Sequence, residues 1–480
     1  MVDLNDFAQL RVGLLGLGLE AYWPQFSGLK PRLEEYLREF EQYLQSPERT
    51  IVNLGMIDSL NKAVTVGHQC RQEDLDVLLV YVTTYALSST LLAVIQRAKV
   101  PMILLNLQPE PAIALDQINL LTDRTERTGE WLAYCSSCTL PELANVLRRV
   151  KIPFFQVTGA LHHDPVCREE LEKWLNAART VKILSHSKLG LMGHYYSGML
   201  DITTDLVQVS GRFGTVIEML EVDTLSGYRR EVSNKEVAEK IEVFHREFVF
   251  VPGCTEDDRM LSARTSVALD RMIAEHSLDI LAYYYKGTGV PENEDTMSSI
   301  ILGTSLLTAA GIPVAGEYDV KNAIAMKIME TLGGGGSFTE YYGIDYKDDV
   351  VLMGHDGPGH PKMAQSRMEV HPLVVYHGKV GRGLSVQMSV RHGPITLLSI
   401  VEDRDLGFFL LVAEGESVAG EILKIGNTNS RYRFPLGARS FVEAWNSRGP
   451  AHHCAVGTGH LTSTLRAVAE LLQIRIVQIC

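Results

Sequence analysis

The stretch LDVLLVYVTTYALSSTLLAVIQRAKVPMILLNL, residues 75–107, decides the fold of the N-terminal part of the chain. Its two continuous apolar runs, at 75–84 and 100–107, predict buried strands, and the segment at 88–98 predicts a helix between them. The same alternation precedes it, with apolar runs at 11–18 and 50–57 and an amphipathic segment at 29–45. Continuous apolar strands that alternate with helices are typical of a parallel sheet covered on both faces. The sequence therefore predicts a Rossmann-like α/β layout.

Two glycine-rich segments lack the signatures of nucleotide binding. GLLGLG at 13–18 does not have the full GxGxxG spacing of dinucleotide-binding proteins. Gly333–Gly336 is not followed by GK[ST], so it does not predict a phosphate-binding loop. We interpret it as a tight helix exit whose missing side chains let a neighbouring segment approach.

The strand–helix alternation continues to about residue 330 and then changes. Strand-like runs at 152–161 and 278–287 alternate with helical segments at 169–184, 262–277 and 296–311. After about residue 345, short strand-like runs separated by Gly, Asp and His indicate an antiparallel barrel or sandwich. A chain of this length is expected to form two or three domains.

Charge and composition favour a protein that acts on a small molecule. The 480 residues carry a formal net charge of −13, whereas binding to nucleic-acid phosphates needs clustered Lys and Arg. No apolar run predicts a membrane span, and no basic region precedes the first apolar stretch, so we expect no secretory signal. Seven scattered cysteines are typical of reduced thiols in a cytoplasmic protein. Cys135 and Cys138 have CxxC spacing in a segment, 128–147, that reads as helix, but no second CxxC completes a zinc site.

The candidate chemistry lies in GIPVAGEYDVKNAIAMKIMETLGGGGSFTEYYGIDYKDDVVLMGHDGPGH, residues 311–360. Glu317 follows a short apolar strand and opens a helix, Glu340 stands in a similar setting, and His355 closes another strand. Strand ends in α/β proteins are where ligands bind, and packing explains a carboxylate there poorly. With the His452–His453 pair, these residues supply two carboxylates and two imidazoles. Such a set suits Mn²⁺, Co²⁺, Mg²⁺ or Fe²⁺ rather than the Cys-based zinc type.

Each of these residues also has an ordinary structural interpretation. The helix dipole favours a glutamate at a helix start, which would explain Glu317 without any ligand. Glu340 could belong to ordinary surface, and His355 could hydrogen-bond a neighbouring loop. In an HH pair one ring commonly faces away from any site. The single residues therefore leave both interpretations open.

Four short motifs occur in an order that favours the metal site: AGEYD at 315–319, SFTEYY at 337–342, VLMGH at 351–355 and PAHHC at 450–454. They resemble, in this order, the AGEGD-like, SFMEDY-like, VLGSH-like and GAHH-like segments of the L-arabinose isomerase family, each of which supplies one metal ligand. The chain is similar to the L-fucose isomerases as well. The resemblance covers about residues 296–480. It implies one divalent ion, Mn²⁺ first among the candidates, with four ligands: Glu317, Glu340, His355 and His453.

The resemblance implies an aldose–ketose isomerase that moves a carbonyl between C1 and C2 of a free pentose or 6-deoxyhexose through a cis-enediol. Glu317 and Glu340 would combine metal binding with acid–base catalysis, because a carboxylate poised between protonation states can carry the proton. The implied subunit has two Rossmann-like parallel α/β domains, at 1–175 and 176–330, followed by a C-terminal domain with an antiparallel β-barrel at 331–480. A homo-oligomer, trimer or hexamer, with the active site near a subunit boundary is implied too.

The chain departs from the family where the family contacts sugar. GLGLEAYW at 16–23 keeps a Tyr but lacks the family's Gln–His pair, and the strand that carries Gln and His in the family here ends LLNLQPEP. The loop after His355 is longer and adds His360, which we expect to be a lid or subunit-contact residue. We expect substrate contacts from six residues: Tyr22, Gln108, His194, Tyr195, Tyr285 and His452. His452 is also expected to support the metal site. A sugar epimerase or a non-catalytic sugar-binding protein on the same scaffold is the alternative.

Overall fold

The computed structural model describes residues 9–284, 286, 289–373 and 383–480. The chain divides into two compact units, the first ending at Lys182 and the second running from Ile183 to Cys480. The finer division into three domains, with boundaries after residues 175 and 330, stays a prediction.

The first unit is built on a five-stranded parallel sheet. Its strands are β1 (Leu10–Leu17), β2 (Arg49–Ile57), β3 (Val77–Val82), β4 (Met102–Gln108) and β5 (Phe155–Ala160). Its helices are α1 (Leu29–Leu44), α2 (Leu60–Gln72), α3 (Ser88–Ala98), α4 (Leu115–Leu120), α5 (Arg124–Leu132), α6 (Leu140–Arg149) and α7 (Pro165–His186), whose last residues belong to the second unit. The strand order β2-β1-β3-β4-β5 is a doubly wound order, which confirms the predicted Rossmann-like layout.

The apolar patterns explain why these elements form. Every residue of β3 is buried, as expected for a central strand covered by helices on both faces. Helix α1 buries apolar residues spaced three or four apart along one stripe: Leu29, Leu33, Leu37, Phe40 and Leu44. Hydrophobic burial of this kind contributes roughly 25 cal/mol per Å² of apolar surface removed from water.

The turn between α5 and α6 corrects two expectations. Cys135 and Cys138 form a disulfide there, with Cα atoms 5.9 Å apart, so the expectation that all cysteines are reduced thiols is wrong for this pair. The segment 128–147 is also not one helix, because α5 ends at Leu132 and α6 begins at Leu140. A turn brings two cysteines with CxxC spacing within the Cα separation that a disulfide requires.

The second unit begins with a four-stranded parallel sheet and its helices. Its elements are β6 (Lys188–Met192), α8 (Leu206–Phe213), β7 (Val216–Leu220), α9 (Val222–Arg230), α10 (Asn234–Glu247), β8 (Phe248–Phe250), α11 (Glu256–His276), β9 (Ile280–Tyr283), α12 (Pro291–Ser298), α13 (Ile301–Ala309), β10 (Val314–Ala315) and α14 (Val320–Thr331). The sheet order is β10-β9-β6-β7. The helix expected over 296–311 is split, because α12 ends at Ser298 and α13 begins at Ile301; the Ser299 hydroxyl at the break donates to the Asp295 carbonyl oxygen.

A closed antiparallel barrel follows, as the resemblance implied. Its elements and their neighbours are β11 (Ser337–Asp345), β12 (Val350–His355), β13 (Met368–Pro372), β14 (Leu384–Gln387), β15 (Gly393–Asp403), β16 (Gly407–Ser417), β17 (Thr428–Arg433), α15 (Ala438–Asn446), β18 (His453–Thr458), α16 (Thr462–Leu471) and β19 (Arg475–Gln478). Six strands close in the order β15-β18-β11-β12-β17-β16, and β16 pairs again with β15. Strands β8, β13 and β14 form a separate small sheet.

Helix α14 connects the parallel sheet to the barrel. Ten of its twelve residues are buried, including Lys321 and Lys327, so the helix lies inside the second unit rather than on its surface. The chain leaves α14 through Gly333–Gly336, where a Cβ on Gly336 would stand 2.4 Å from the Met326 carbonyl oxygen. Only glycine permits that approach. Both ends of α14 therefore have fixed positions relative to β10 and β11.

Candidate functional site

Glu317 stands directly after β10 in an uncommon backbone conformation. Glu317 and Tyr318 have φ values of 58° and 65°, in the left-handed region that non-glycine residues rarely adopt. The Tyr318 amide donates to the Tyr283 carbonyl oxygen at 2.9 Å, which anchors this turn to β9. Backbone strain of this kind costs on the order of 1–3 kcal/mol per residue and is concentrated at functional sites.

Three adjacent barrel strands supply the other predicted ligands. Glu340 of β11 is the direct antiparallel partner of His453 at the start of β18. On its other side Glu340 is paired with Gly354 of β12, one residue before His355. The Thr428 hydroxyl holds the backbone of His355 in place: it accepts from the His355 amide at 2.9 Å and donates to its carbonyl oxygen at 3.0 Å.

The predicted residues converge in two overlapping groups that share His453. In each group, one ligand atom per residue lies within 4.8 Å of the others; the groups are Glu317, His355 and His453, and Glu340, His452 and His453. Glu317 Oε1 is 3.9 Å from His355 Nε2, and Glu317 Oε2 is 3.6 Å from His453 Nε2. The Phe338 ring packs against the imidazoles of His355 and His453, each at a centroid distance of 4.3 Å. Residues more than 130 positions apart in the sequence therefore meet in one place.

Asp319 fixes the ring of His453. The fully buried Asp319 carboxylate lies 3.1 Å from His453 Nδ1 and also accepts from the Asn322 amide as the N-cap of α14. A carboxylate can only accept, so Nδ1 carries a proton, and in the neutral imidazole Nε2 is then the nitrogen with the lone pair. Such carboxylate–histidine pairs orient metal-binding imidazoles in many proteins.

Asp201 fixes His452 in a similar way. Its Oδ2 accepts from His452 Nδ1 at 2.6 Å and from the His452 amide at 2.9 Å. Burial alone would lower the pKa of His452, but Glu317 and Asp201 together raise it to about 9. Lys321 in the first turn of α14 donates to the carbonyl oxygens of Asp201 and Thr203. The start of α14 thus supports both histidines.

Two buried polar atoms at the centre of this cluster lack a hydrogen-bond partner among the described residues: Glu317 Oε2 and His453 Nε2. An unsatisfied buried polar atom costs about 1–3 kcal/mol, so native proteins keep few of them without a function. A carboxylate oxygen and a deprotonated imidazole nitrogen are both ligands for divalent transition metals. The donor set therefore fits the divalent ion implied by the sequence.

The predicted substrate residues are distributed over both units. His194 is exposed, with its ring 4.3 Å from that of Tyr284, and the Tyr195 ring packs edge-on against Tyr318 at 4.8 Å. Tyr22 and Gln108 belong to the first unit, where Tyr22 packs on Phe26 and Gln108 donates to the Glu110 carbonyl oxygen. Tyr285 lies outside the described residues. Substrate contacts from these residues stay predictions.

The expectation for His360 is wrong. His360 is 1% exposed, and its Nε2 faces the Glu330 carboxylate on α14 at 3.3 Å. The Gly359 amide donates to the Ser305 hydroxyl, so the inserted loop packs inward against α13. A residue buried inside its own unit is neither a lid nor a subunit contact.

Sequence reasoning missed Asp319 and Asp201. Asp319 could have been found, because it stands two residues after Glu317 in AGEYD and is a favoured N-cap type. Asp201 gives no local signal, since its partner His452 is 251 residues away.

The protein is of the class that joins parallel α/β sheets to a closed antiparallel barrel. Its carboxylates and imidazoles converge on a cluster that could hold a divalent ion. Comparisons with known proteins show what this chain is similar to. Residues 335–475 match the family model for the L-arabinose isomerase C-terminal domain. This C-terminal part of the chain is therefore similar to the L-arabinose isomerase family.

The relatives are distant in sequence. Sulfoquinovose isomerase of Priestia aryabhattai is 22% identical over 338 residues, covering 69% of this chain and 73% of that protein. L-arabinose isomerase 1 of Bacillus licheniformis is 23% identical over 317 residues, covering 64% and 62%. An ABC-transporter solute-binding protein from Burkholderia multivorans aligns with 68% of this chain and 93% of its own at 12% identity and a TM-score of 0.18. Among the described residues no helix is long and apolar enough to cross a membrane.

Proposed function

We propose that the protein is a divalent-metal-dependent isomerase that converts a free aldose into the ketose through a cis-enediol. The observation that carries this proposal is a pair of buried ligand atoms 3.6 Å apart, Glu317 Oε2 and His453 Nε2. Neither atom has a hydrogen-bond partner among the described residues, and both match what a divalent ion requires. The same cluster is reached by Glu340 and His355, which is the set that the family motifs predict.

In this proposal Glu317, Glu340, His355 and His453 hold one ion, with Mn²⁺ as the first candidate and Co²⁺, Mg²⁺ or Fe²⁺ as the others. When bound, the ion supplies positive charge beside the two sugar oxygens on which negative charge develops. Asp319 keeps a proton on His453 Nδ1, so that Nε2 is the ring nitrogen that would face the ion. Asp201 holds His452 at the rim of the same cluster.

The proton transfer between C1 and C2 is assigned to the glutamates. Isomerisation of an aldose needs a positioned base that removes the proton from one carbon of the sugar and an acid that returns it to the adjacent carbon. Glu317 and Glu340 are the carboxylates of the cluster, and each is half-buried, which leaves it in reach of a bound sugar. His452 Nε2 lies 3.6 Å from Glu317 Oε2, at the rim of the same cluster.

The names of the relatives point to two kinds of sugar substrate, a pentose and a substituted hexose. One relative is a sulfoquinovose isomerase and another an L-arabinose isomerase, and neither is more than 23% identical to this chain. We therefore propose a free pentose or a hexose modified at C6 as the substrate class. A homo-oligomer, trimer or hexamer, with the site near a subunit boundary is part of the proposal, and the mass in solution tests it.

The test is product analysis with protein stripped of metal by EDTA. L-arabinose, L-fucose, 6-deoxyglucose and sulfoquinovose are each incubated with the stripped protein, with and without Mn²⁺. We expect ketose from at least one sugar only when Mn²⁺ is added. An epimer as the product identifies the epimerase alternative, and binding of a sugar with no product from any of them identifies the non-catalytic alternative.

A further inference from the structure

A second group of side chains adjoins the cluster at the carboxyl edge of the parallel sheet. Strands β6, β9 and β10 are neighbours there, and the Tyr284 amide donates to the Met192 carbonyl oxygen at 2.9 Å just beyond the paired residues. Gly193 has φ +97°, and a Cβ on it would stand 2.9 Å from the Tyr284 Cβ. The glycine lets the chain leaving β6 lie directly against the chain leaving β9.

Five aromatic residues follow the ends of these three strands, and we call them the aromatic wall: His194, Tyr195, Tyr196, Tyr284 and Tyr318. Ring centroids lie 4.3 Å apart for His194 and Tyr284, and 6.0 Å apart for Tyr196 and Tyr284. Tyr318 directly follows Glu317, so the wall begins one residue from the cluster. Burial raises the pKa of Tyr284, and the charges of Tyr196, Glu317 and Glu294 raise it further.

Lys286 adds a positive charge to this wall. Its Nζ lies 5.8 Å from the Tyr196 ring centroid, an arrangement in which the ring face attracts the cation. Lys286 is half-buried and forms no ion pair with any carboxylate of the described residues. Lys321 in α14, in contrast, donates to the carbonyl oxygens of Asp201 and Thr203. Lys286 is therefore a cation available to a ligand.

We propose that Lys286 and the aromatic wall form a specificity subsite that takes an anionic group, a sulfonate or a phosphate, at the end of the sugar remote from the reacting carbons. This proposal rests on the proposed function, since it assumes that the reacting carbons lie at Glu317. A site for a neutral sugar needs only aromatic faces and hydrogen-bonding groups. A lysine ammonium without a counter-ion adds affinity only when the bound ligand is an anion. A lysine acts in such sites as a point charge without a fixed hydrogen-bonding geometry, so it can bind either a sulfonate or a phosphate.

The experiment compares three ligands that differ only at C6: sulfoquinovose, glucose 6-phosphate and 6-deoxyglucose. Wild type is compared with Lys286→Met, which keeps an apolar stem, and with Lys286→Arg, which restores the charge. Lys235→Met is the matched control, because Lys235 is an exposed lysine on α10 whose one ion pair among the described residues is with Glu239 on the same helix. Calorimetry measures binding to the metal-free protein, and kcat/KM is measured with Mn²⁺.

We expect the metal-free wild type to bind at least one of the two anionic ligands at least tenfold more tightly than 6-deoxyglucose. Lys286→Met should reduce that ratio at least tenfold and raise KM for the anionic sugar more than it lowers kcat. Lys286→Arg and Lys235→Met should keep the ratio within about threefold of wild type. Tighter binding of sulfoquinovose identifies the anionic group as a sulfonate, and tighter binding of glucose 6-phosphate identifies it as a phosphate.

The two proposals fail separately. Turnover of 6-deoxyglucose without any preference for an anionic ligand leaves the isomerase standing and overturns the subsite. Lys286-dependent binding of an anionic ligand with no turnover supports the subsite and overturns the isomerase. An equal loss for neutral and anionic ligands in Lys286→Met also overturns the subsite, because it shows a general structural role.

Discussion

The Asp319 carboxylate is bound to His453 Nδ1 at 3.1 Å while it caps the helix that follows Glu317. One buried side chain thereby couples the backbone that carries one proposed ligand to the imidazole of another. Any change in the first turn of α14 is transmitted to His453 without touching its ring.

Asp319→Asn tests this coupling. The aspartate uses one oxygen to cap α14 and the other to accept from His453 Nδ1, whereas an amide has only one accepting oxygen. If that oxygen caps the helix, the NH₂ group faces His453 Nδ1 and favours the tautomer with its proton on Nε2. We expect the affinity for Mn²⁺ to fall about 10–100-fold, the usual effect of removing such a partner. The measurement is calorimetry on metal-stripped protein.

Asp205→Asn is the matched control for that variant. Asp205 caps α8 by accepting from the amides of Val207 and Gln208, but it contacts no residue of the cluster. Its replacement should leave the Mn²⁺ affinity within about twofold of wild type. If the Asp319→Asn and Asp205→Asn variants bind Mn²⁺ with the same affinity, the Asp319–His453 contact does not contribute to metal binding.

Glu317→Gln and Glu340→Gln test the division between binding and proton transfer. Each amide keeps the shape of the side chain but cannot accept the proton, so kcat should fall at least about 10²-fold, the low end for losing a general acid or base. Saturating Mn²⁺ should not restore it. His355→Asn should instead regain part of its activity at high Mn²⁺. Full recovery of Glu340→Gln with excess metal would assign Glu340 to binding only.

His360→Ala should lower stability rather than metal affinity. The substitution removes the partner of the half-buried Glu330 carboxylate, whose pKa burial would raise and His360 lowers. We expect the free energy of unfolding in urea to fall by about 1.5–3 kcal/mol, the range for losing a hydrogen bond to a charged group. The exposed His392→Ala is the control and should change stability by less than about 0.5 kcal/mol. Loss of Mn²⁺ binding in His360→Ala would contradict the assignment.

His162 gives the first unit a pH-dependent contribution to stability. Its ring nitrogens face Glu110 at 2.8 Å and Glu39 at 2.9 Å; burial alone would lower its pKa, but the two carboxylates raise it. A raised pKa means that the contribution is complete below the ordinary value of about 6.5 and is lost as pH rises through the raised value. His162→Gln should therefore destabilise the protein more at pH 6 than at pH 9 in thermal melts. The exposed His68→Gln on α2 is the control, and a difference that grows with pH would contradict the sign.

Most of the fold could be predicted because its signals are local. The continuous apolar run of β3 and the regular stripe of α1 each specify an element on their own. The split at Ser299 and the Cys135–Cys138 disulfide were missed, because a serine or a CxxC pair occurs in helices and turns alike.

The candidate site was predictable only in part. The motifs identify the residue types that converge, and the helix start after Glu317 makes Asp319 visible as a cap. Nothing in a local pattern reveals the left-handed φ of Glu317, which needs the Tyr283 contact, or the pairing of Asp201 with His452 across 251 residues. Long-range contacts of this kind depend on the tertiary fold.

The most direct test of the central claim is anomalous diffraction from a crystal soaked in Mn²⁺. We predict one strong peak per subunit, with oxygens of Glu317 and Glu340 and nitrogens of His355 and His453 at about 2.0–2.5 Å from it. An ion bound elsewhere, or any of the four residues remaining more than about 10 Å from the peak, would contradict the claim, because no first coordination sphere extends that far.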